Sequence, residues 1–254
     1  MKKLSLFLAV LLTIAILAPS CGDTELIMMS DSIQANMVLV EGGTFMMGSE
    51  NSYYEEDGPV HEVTVKSFMI CKYQVTQRQW QLVMGKNPSE FQDGSDQRPV
   101  ENISWDDAQE FITKLNEATG RHFRMPTEAE WEYAARGGKK SQGFIYAGSN
   151  DNHEVGRCYA DYESGTAPVG SYKPNELGIH DMTGNVLEFC SDRYAEYTAD
   201  AQKDPQGPAE GWSRIIRGGA WFSASRNCTV YHHRGVNPTE RANGLGLRLA
   251  IDPQ

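Results

Sequence analysis

Along the chain the apolar positions change their spacing several times, and each change predicts a different element. Residues 4–18 carry no charge and follow Lys2 and Lys3. That run is too short to span a bilayer comfortably and has the form of a secretory signal. Residues 22–35 are polar without a period and predict a short tether. Residues 37–48 form an apolar run broken by Gly42-Gly43, which predicts a hairpin, and residues 61–68 alternate as a strand does. Three helices are announced by their starts. Thr76 precedes Gln79 as a capping box, with Val75 and Trp80 placed as a hydrophobic staple. Ser104 opens a stretch in which Trp105, Ala108, Phe111, Ile112 and Leu115 share one face, closed by Gly120. Thr127 and Glu130 form a second capping box, and Gly137-Gly138 stops that helix. From Lys139 onward helical spacing is lost, and the strand-like pieces at 186–190, 213–217 and 246–250 are short. This pattern predicts a loop-rich α+β domain at 36–254, behind a signal peptide at 1–20 and a tether at 21–35.

Composition narrows the function classes. The 254 residues include 34 Asp+Glu against 23 Lys+Arg, a net charge of −11, with 40% hydrophobic residues. Such a chain is globular, and without a basic cluster it is not expected to bind nucleic acid. Leu17-Ala18-Pro19-Ser20-Cys21 resembles a bacterial lipoprotein box, which would make Cys21 the lipidated N-terminus and the lipid its membrane contact. Ordinary cleavage near Ser20, leaving a soluble exported protein, is the alternative. The acidic Gly22-Asp23-Thr24-Glu25 resembles lipoproteins sent to the cell surface in some Gram-negative groups. The expectation is a lipid-anchored protein of the cell envelope, on a Gram-negative outer membrane and facing outward. Cys71, Cys158, Cys190 and Cys228 show no CxxC spacing and leave all three disulfide pairings open.

Five ordered blocks carry more information than composition does. They are residues 42–48 (GGTFMMG), 124–132 (RMPTEAEWE), 178–189 (GIHDMTGNVLEF), 217–221 (RGGAW) and 246–248 (GLR). In this order they resemble the formylglycine-generating enzyme (sulfatase-modifying factor) family across residues 37–251. The resemblance implies a variant of the C-type lectin fold. Active members oxidise a sulfatase cysteine to formylglycine with oxygen and copper, the copper lying between two cysteines spaced Cys-x4-Cys after a Gly-Gly-Ser block. Here Cys228 falls on the second of those cysteines, Ser223 on the first, and Ala220 on the serine. A hydroxyl is a poor ligand for Cu(I), which favours thiolates, so copper is not expected and Cys228 is the sole catalytic candidate.

Trp221, His232, His233 and Arg234 are candidates for lining the family's substrate groove. His232 and His233 could alternatively join Cys228 in a Cys/His metal site, although adjacent strand residues point to opposite faces. The resemblance also implies a structural calcium held by Asp181, the carbonyls of Gly184 and Val186, and Glu188. The competing reading is a tight turn with Glu188 paired to Arg217 or Arg248. Glu55-Glu56-Asp57 reads as a solvated loop and Asp106-Asp107 as a favourable charge at a helix start. The functional expectation is an exported lipoprotein that binds a protein, peptide or glycan, or serves an envelope complex. The alternative is an active formylglycine-forming oxidase or a related non-haem metal oxidase.

Overall fold

The computed structural model describes residues 21–93, 97–159 and 165–253; the expected signal peptide lies outside them. The first element is a helix, α1 (Cys21–Ala35), where the polar pattern predicts a tether. Leu26, Met29 and Ile33 recur at helical spacing, and Ile33 is buried in the core. Asp31 pairs with Arg121 at 2.7 Å, so α1 is part of the domain. A stripe of so few apolar residues in an acidic segment is what hid it.

The Gly42-Gly43 run also departs from its prediction. β1 (Met37–Val40) and β2 (Gly43–Met47) do not pair with each other. They form one long arm, antiparallel to β3 (His61–Val65) and β4 (Phe68–Cys71). Met37 faces Cys71 and Met47 faces His61, with the register kept across the break. At that break the Gly42 N–H donates to Ser67 Oγ at 3.0 Å, and a Cβ on Gly42 would lie 2.6 Å from the Val65 carbonyl. Glycine lets the arm cross closely at this point rather than reverse.

The three predicted helices are α2 (Gln77–Met84), α3 (Trp105–Thr119) and α4 (Glu128–Ala135). Each opens with a reciprocal capping box, at Thr76/Gln79, Ser104/Asp107 and Thr127/Glu130. Gly85 and Gly120 close α2 and α3 in the left-handed region. Trp80 of α2 stacks on Phe111 of α3, with centroids 4.9 Å apart, in one of the two main core clusters.

After α4 the chain is mostly loop. A single turn, α5 (Asn152–Val155), leads into β5 (Gly156–Arg157), which pairs in parallel with β6 (Thr183–Gly184). β7 (Leu187–Arg193), β9 (Arg214–Arg217), β10 (His233–Val236) and β11 (Leu245–Gly246) form a sheet ordered β10-β9-β7-β11. β8 (Gln202–Lys203) extends β2-β3, and β12 (Ala250–Ile251) returns to β4, so the C-terminal strand closes against the first arm. No described helix is long and apolar enough to cross a membrane.

Candidate functional site

The 178–189 block folds into a cradle of oxygens. Asp181, Gly184 and Asn185 all take positive φ, which turns successive carbonyls to one side. Gly184 cannot be replaced cheaply, since a Cβ there would lie 2.2 Å from the Arg157 carbonyl. The carbonyls of Asp181, Gly184 and Val186 and Glu188 Oε1 surround the Nε2 of Gln74 at 3.1, 3.5, 3.1 and 2.9 Å. That amide nitrogen has two hydrogens for four acceptors. Three carbonyls and a carboxylate are also the donor set a hard divalent cation takes. Asp181 contributes its carbonyl, not its carboxylate, which accepts the Gly170 N–H at 2.7 Å. Glu188 is clamped by Arg248 on both oxygens at 2.7 and 2.9 Å and takes the Trp131 indole N–H at 2.6 Å. Gln74, which no motif flagged, is thus the centre of the arrangement.

The other motif charges neutralise one another in the interior. Glu130 pairs with Arg124 at 2.7 Å, and Glu132 binds both Arg136 and the fully buried Arg217. Burial raises the Glu132 pKa, but Arg136 and Arg217 outweigh it and hold the carboxyl below its ordinary value. His232 immediately precedes β10 and His233 opens it, and the two imidazoles take different carboxylate partners. His232 reaches Asp57 at 3.1 Å and stacks on Tyr54. His233 Nδ1 faces Glu128 at 2.6 Å while its Nε2 faces the Glu56 carbonyl at 3.0 Å. Two acceptors on two ring nitrogens require the imidazolium. Burial opposes that charge, but Glu128 carries the His233 pKa above its ordinary value. Neither histidine lines a groove, and Asp57 sits in the interior rather than in a solvated loop.

The 217–228 segment lacks the paired thiols of the copper-binding pattern. The Ser223 hydroxyl accepts the Ala220 N–H at 3.0 Å, so it closes a local turn. Trp221 is buried against Phe91 and Phe222, with its indole N–H donating to the Asn243 carbonyl at 2.9 Å. It is therefore core rather than groove, while Arg234 is exposed on β10. Cys228 is fully buried and shares a small core cluster with Tyr146, Val155 and Cys158. Cys158, 70 positions earlier in sequence, is the other thiol of that cluster, and the Cys228 thiol faces the Ser223 and Ala224 carbonyls at 4.0 and 3.8 Å. The neighbouring Cys158 thiol, followed by burial, pushes the Cys228 thiol well above its ordinary pKa. No spacing rule could have found this pair.

Above the pair the surface is aromatic and basic. A cavity of about 370 Å³ is lined by His153, Tyr159, Ala224, Ser225 and Arg226. Tyr159 is 76% exposed and held at φ 55°. Its N–H donates to the Ser223 carbonyl at 2.9 Å. The Arg226 guanidinium lies 4.8 Å over the equally exposed Tyr53 ring, and its Nε donates to the Tyr54 hydroxyl. Exposed tyrosines around an arginine are the composition of a recognition surface. They come from residues that the family motifs do not include.

Residues 25–253 match the family described as sulfatase-modifying factor enzyme 1-like domain. The chain is 34% identical over 266 aligned residues to chaperone protein LppX of Paenibacillus barcinonensis, covering 85% of this chain and 87% of that protein. It is 29% identical over 296 residues to the formylglycine-generating enzyme of Thermomonospora curvata, covering 87% and 95%. Among solved structures, Treponema denticola variable protein 1 matches with a TM-score of 0.78 and 31% identity, over 85% of this chain and 95% of that one. The architecture is the formylglycine-generating-enzyme-like variant of the C-type lectin fold.

Proposed function

Because the chain belongs to the sulfatase-modifying factor enzyme 1-like family, we propose that it is an exported member which binds a protein, peptide or glycan ligand and does not form formylglycine. One observation carries this reading. Ser223, on the first copper-cysteine position, spends its hydroxyl on the Ala220 N–H, so no Cys-x4-Cys pair exists. The exposed face of Tyr53, Tyr159 and Arg226 supplies what binding needs instead. The relative named a chaperone protein is consistent with a polypeptide ligand.

At the family's copper position this chain offers one thiol, Cys228, and the Ser223 hydroxyl, a poor ligand for Cu(I). A second thiol, Cys158, shares the apolar cluster of Cys228, Tyr146 and Val155, and ionising both thiols would place two negative charges in it. Burial makes such charge costly. The donor set therefore fits copper poorly.

Two further parts complete the proposal. Cys21 carries the lipid anchor, placing the domain in the cell envelope, on the outer face of a Gram-negative outer membrane. A calcium ion takes the oxygen cradle at Asp181, Gly184, Val186 and Glu188, supported by four acceptors meeting one amide nitrogen.

The test of function pairs chemistry with binding. Purified protein incubated with copper, oxygen and a peptide bearing the sulfatase cysteine motif leaves the peptide mass unchanged. A photocrosslinking residue placed at Tyr159 in living cells captures an adduct, which Arg226→Ala reduces by roughly tenfold, the loss expected of one anchor that becomes buried on binding. Conversion of the peptide, abolished by Cys228→Ala, would overturn the non-catalytic reading. Lipid labelling lost in Cys21→Ser tests the anchor.

A further inference from the structure

We propose that Cys158 and Cys228 are joined by a disulfide in the exported protein, a clasp that fixes the Tyr159 surface to the 218–228 turn. The oxidising compartment rests on the export reading above; the pairing itself rests on geometry.

The two thiols are brought together by backbone, not by chance proximity of flexible side chains. Gly184 N–H donates to the Gly218 carbonyl at 2.7 Å, which locks β6 to the start of the 218–228 turn. Asn185 N–H donates to the Arg157 carbonyl and Tyr159 N–H to the Ser223 carbonyl, each at 2.9 Å. These bonds bracket Cys158 on both sides. Each sulfur also fills the space of a missing side chain. A Cβ on Gly184 would lie 2.7 Å from Cys158 Sγ, and one on Gly219 would lie 2.4 Å from Cys228 Sγ. These glycines therefore leave room for each thiol, and both thiols belong to one buried cluster.

The other described cysteines cannot compete. Cys71 belongs to the cluster with α2 and α3, and Cys190 to the cluster around Trp131. Of the three pairings that the sequence leaves open, none other unites two cysteines of one cluster. A disulfide is neutral and apolar and suits the Tyr146–Val155 pocket, where two thiolates do not.

The chemistry is two-step and balanced. Cys158 is 8% exposed and Cys228 is 0% exposed, so an incoming disulfide meets Cys158 first. The Cys158 thiol loses its proton and attacks, forming a mixed disulfide and releasing one thiol of the oxidant. Cys228 then loses its proton and attacks Cys158 Sγ, releasing the second thiol. Two protein thiols give up two electrons, and one disulfide of a thiol oxidoreductase, or of oxidised glutathione in vitro, becomes two thiols.

The test starts with protein alkylated in intact cells, extracted from the envelope and digested without reductant. A Cys158–Cys228 cross-linked peptide is expected, with Cys71 and Cys190 alkylated only after denaturation. In parallel, purified protein in oxidised glutathione becomes lighter by two hydrogens. Cys228→Ser instead stops at one glutathione on Cys158. Reduction lowers the wild-type melting temperature by about 5–10 °C and leaves that of Cys158→Ser unchanged. Wild type that gains no cross-link in oxidised glutathione overturns the clasp, as does a copurifying metal whose removal alone frees both thiols. A bond formed in vitro beside reduced thiols in cells keeps the clasp and overturns export.

Discussion

At the scale of single residues, burial and neighbouring charge decide which groups hold protons. Asp192 is buried next to Glu128, and burial followed by that charge pushes its pKa to about 7. Its Oδ2 accepts the Glu128 N–H at 3.0 Å and the Ser191 hydroxyl at 2.9 Å. A raised carboxyl keeps its proton in the folded chain after the unfolded chain has lost it. Folding therefore loses stability as pH rises from about 4 to about 7, at roughly 1.4 kcal/mol per unit. Asp192→Asn keeps an acceptor for both donors and removes the titration. Its gain in melting temperature should grow between pH 5 and pH 8, and an equal shift at both would rule out the proton as the cause. Glu128 behaves oppositely. Burial raises it, but His233 and Arg217 hold it below its ordinary value, so its contribution is present above about pH 4.5 and fades on acidification.

At the scale of elements, local signals and tertiary ones part company. The three capped helices were legible because their signals are local, a capping box at Thr76 and Thr127 and a one-sided apolar face after Ser104, and all three start where those residues place them. α1 takes its place from Ile33 and the Asp31–Arg121 pair. The β1–β2 arm misled for a related reason. Gly42-Gly43 marks a bend in either a hairpin or a crossing arm, and the choice depends on Ser67, 25 residues away. Deleting residues 21–35 removes Ile33 from the core and, with Met29, one wall of a cavity of about 660 Å³ that Gln74 and Thr76 also line. Burying a side chain such as Ile33 is worth about 1.5–3 kcal/mol. The truncated domain should melt several degrees lower; a tether would be removed without effect.

At the scale of the whole molecule, the cradle links parts far apart in sequence. Gln74 follows β4, Glu188 lies on β7 and Arg248 precedes β12, so an ion among them would couple the N-terminal arm to the C-terminal strand. If calcium binds the folded state alone, 100-fold excess over its Kd adds about 2.7 kcal/mol. That is a rise of about 5–10 °C for a domain this size. Melting curves in calcium and in chelator should separate by that amount, and coincident curves would leave Gln74 as the sole occupant. Asp181, Gly184, Val186 and Glu188 were legible through the family resemblance and share one local turn, although Asp181 faces the cradle with its carbonyl and not its carboxylate. Gln74 and Cys158 were not legible, because each joins its site from a distant strand or loop.

The buried ion pairs have a consequence for how this lineage diversifies. Glu128 answers Arg217 and His233, Glu130 answers Arg124, Glu132 answers Arg217 and Glu188 answers Arg248, so losing one member strands a buried partner. None of them has to touch a substrate for that constraint to operate. Selection can strip or replace the reactive thiols while the recognisable signature stays whole. Positions 158, 223 and 228, rather than the signature, are where working oxidases and silent cousins would be told apart.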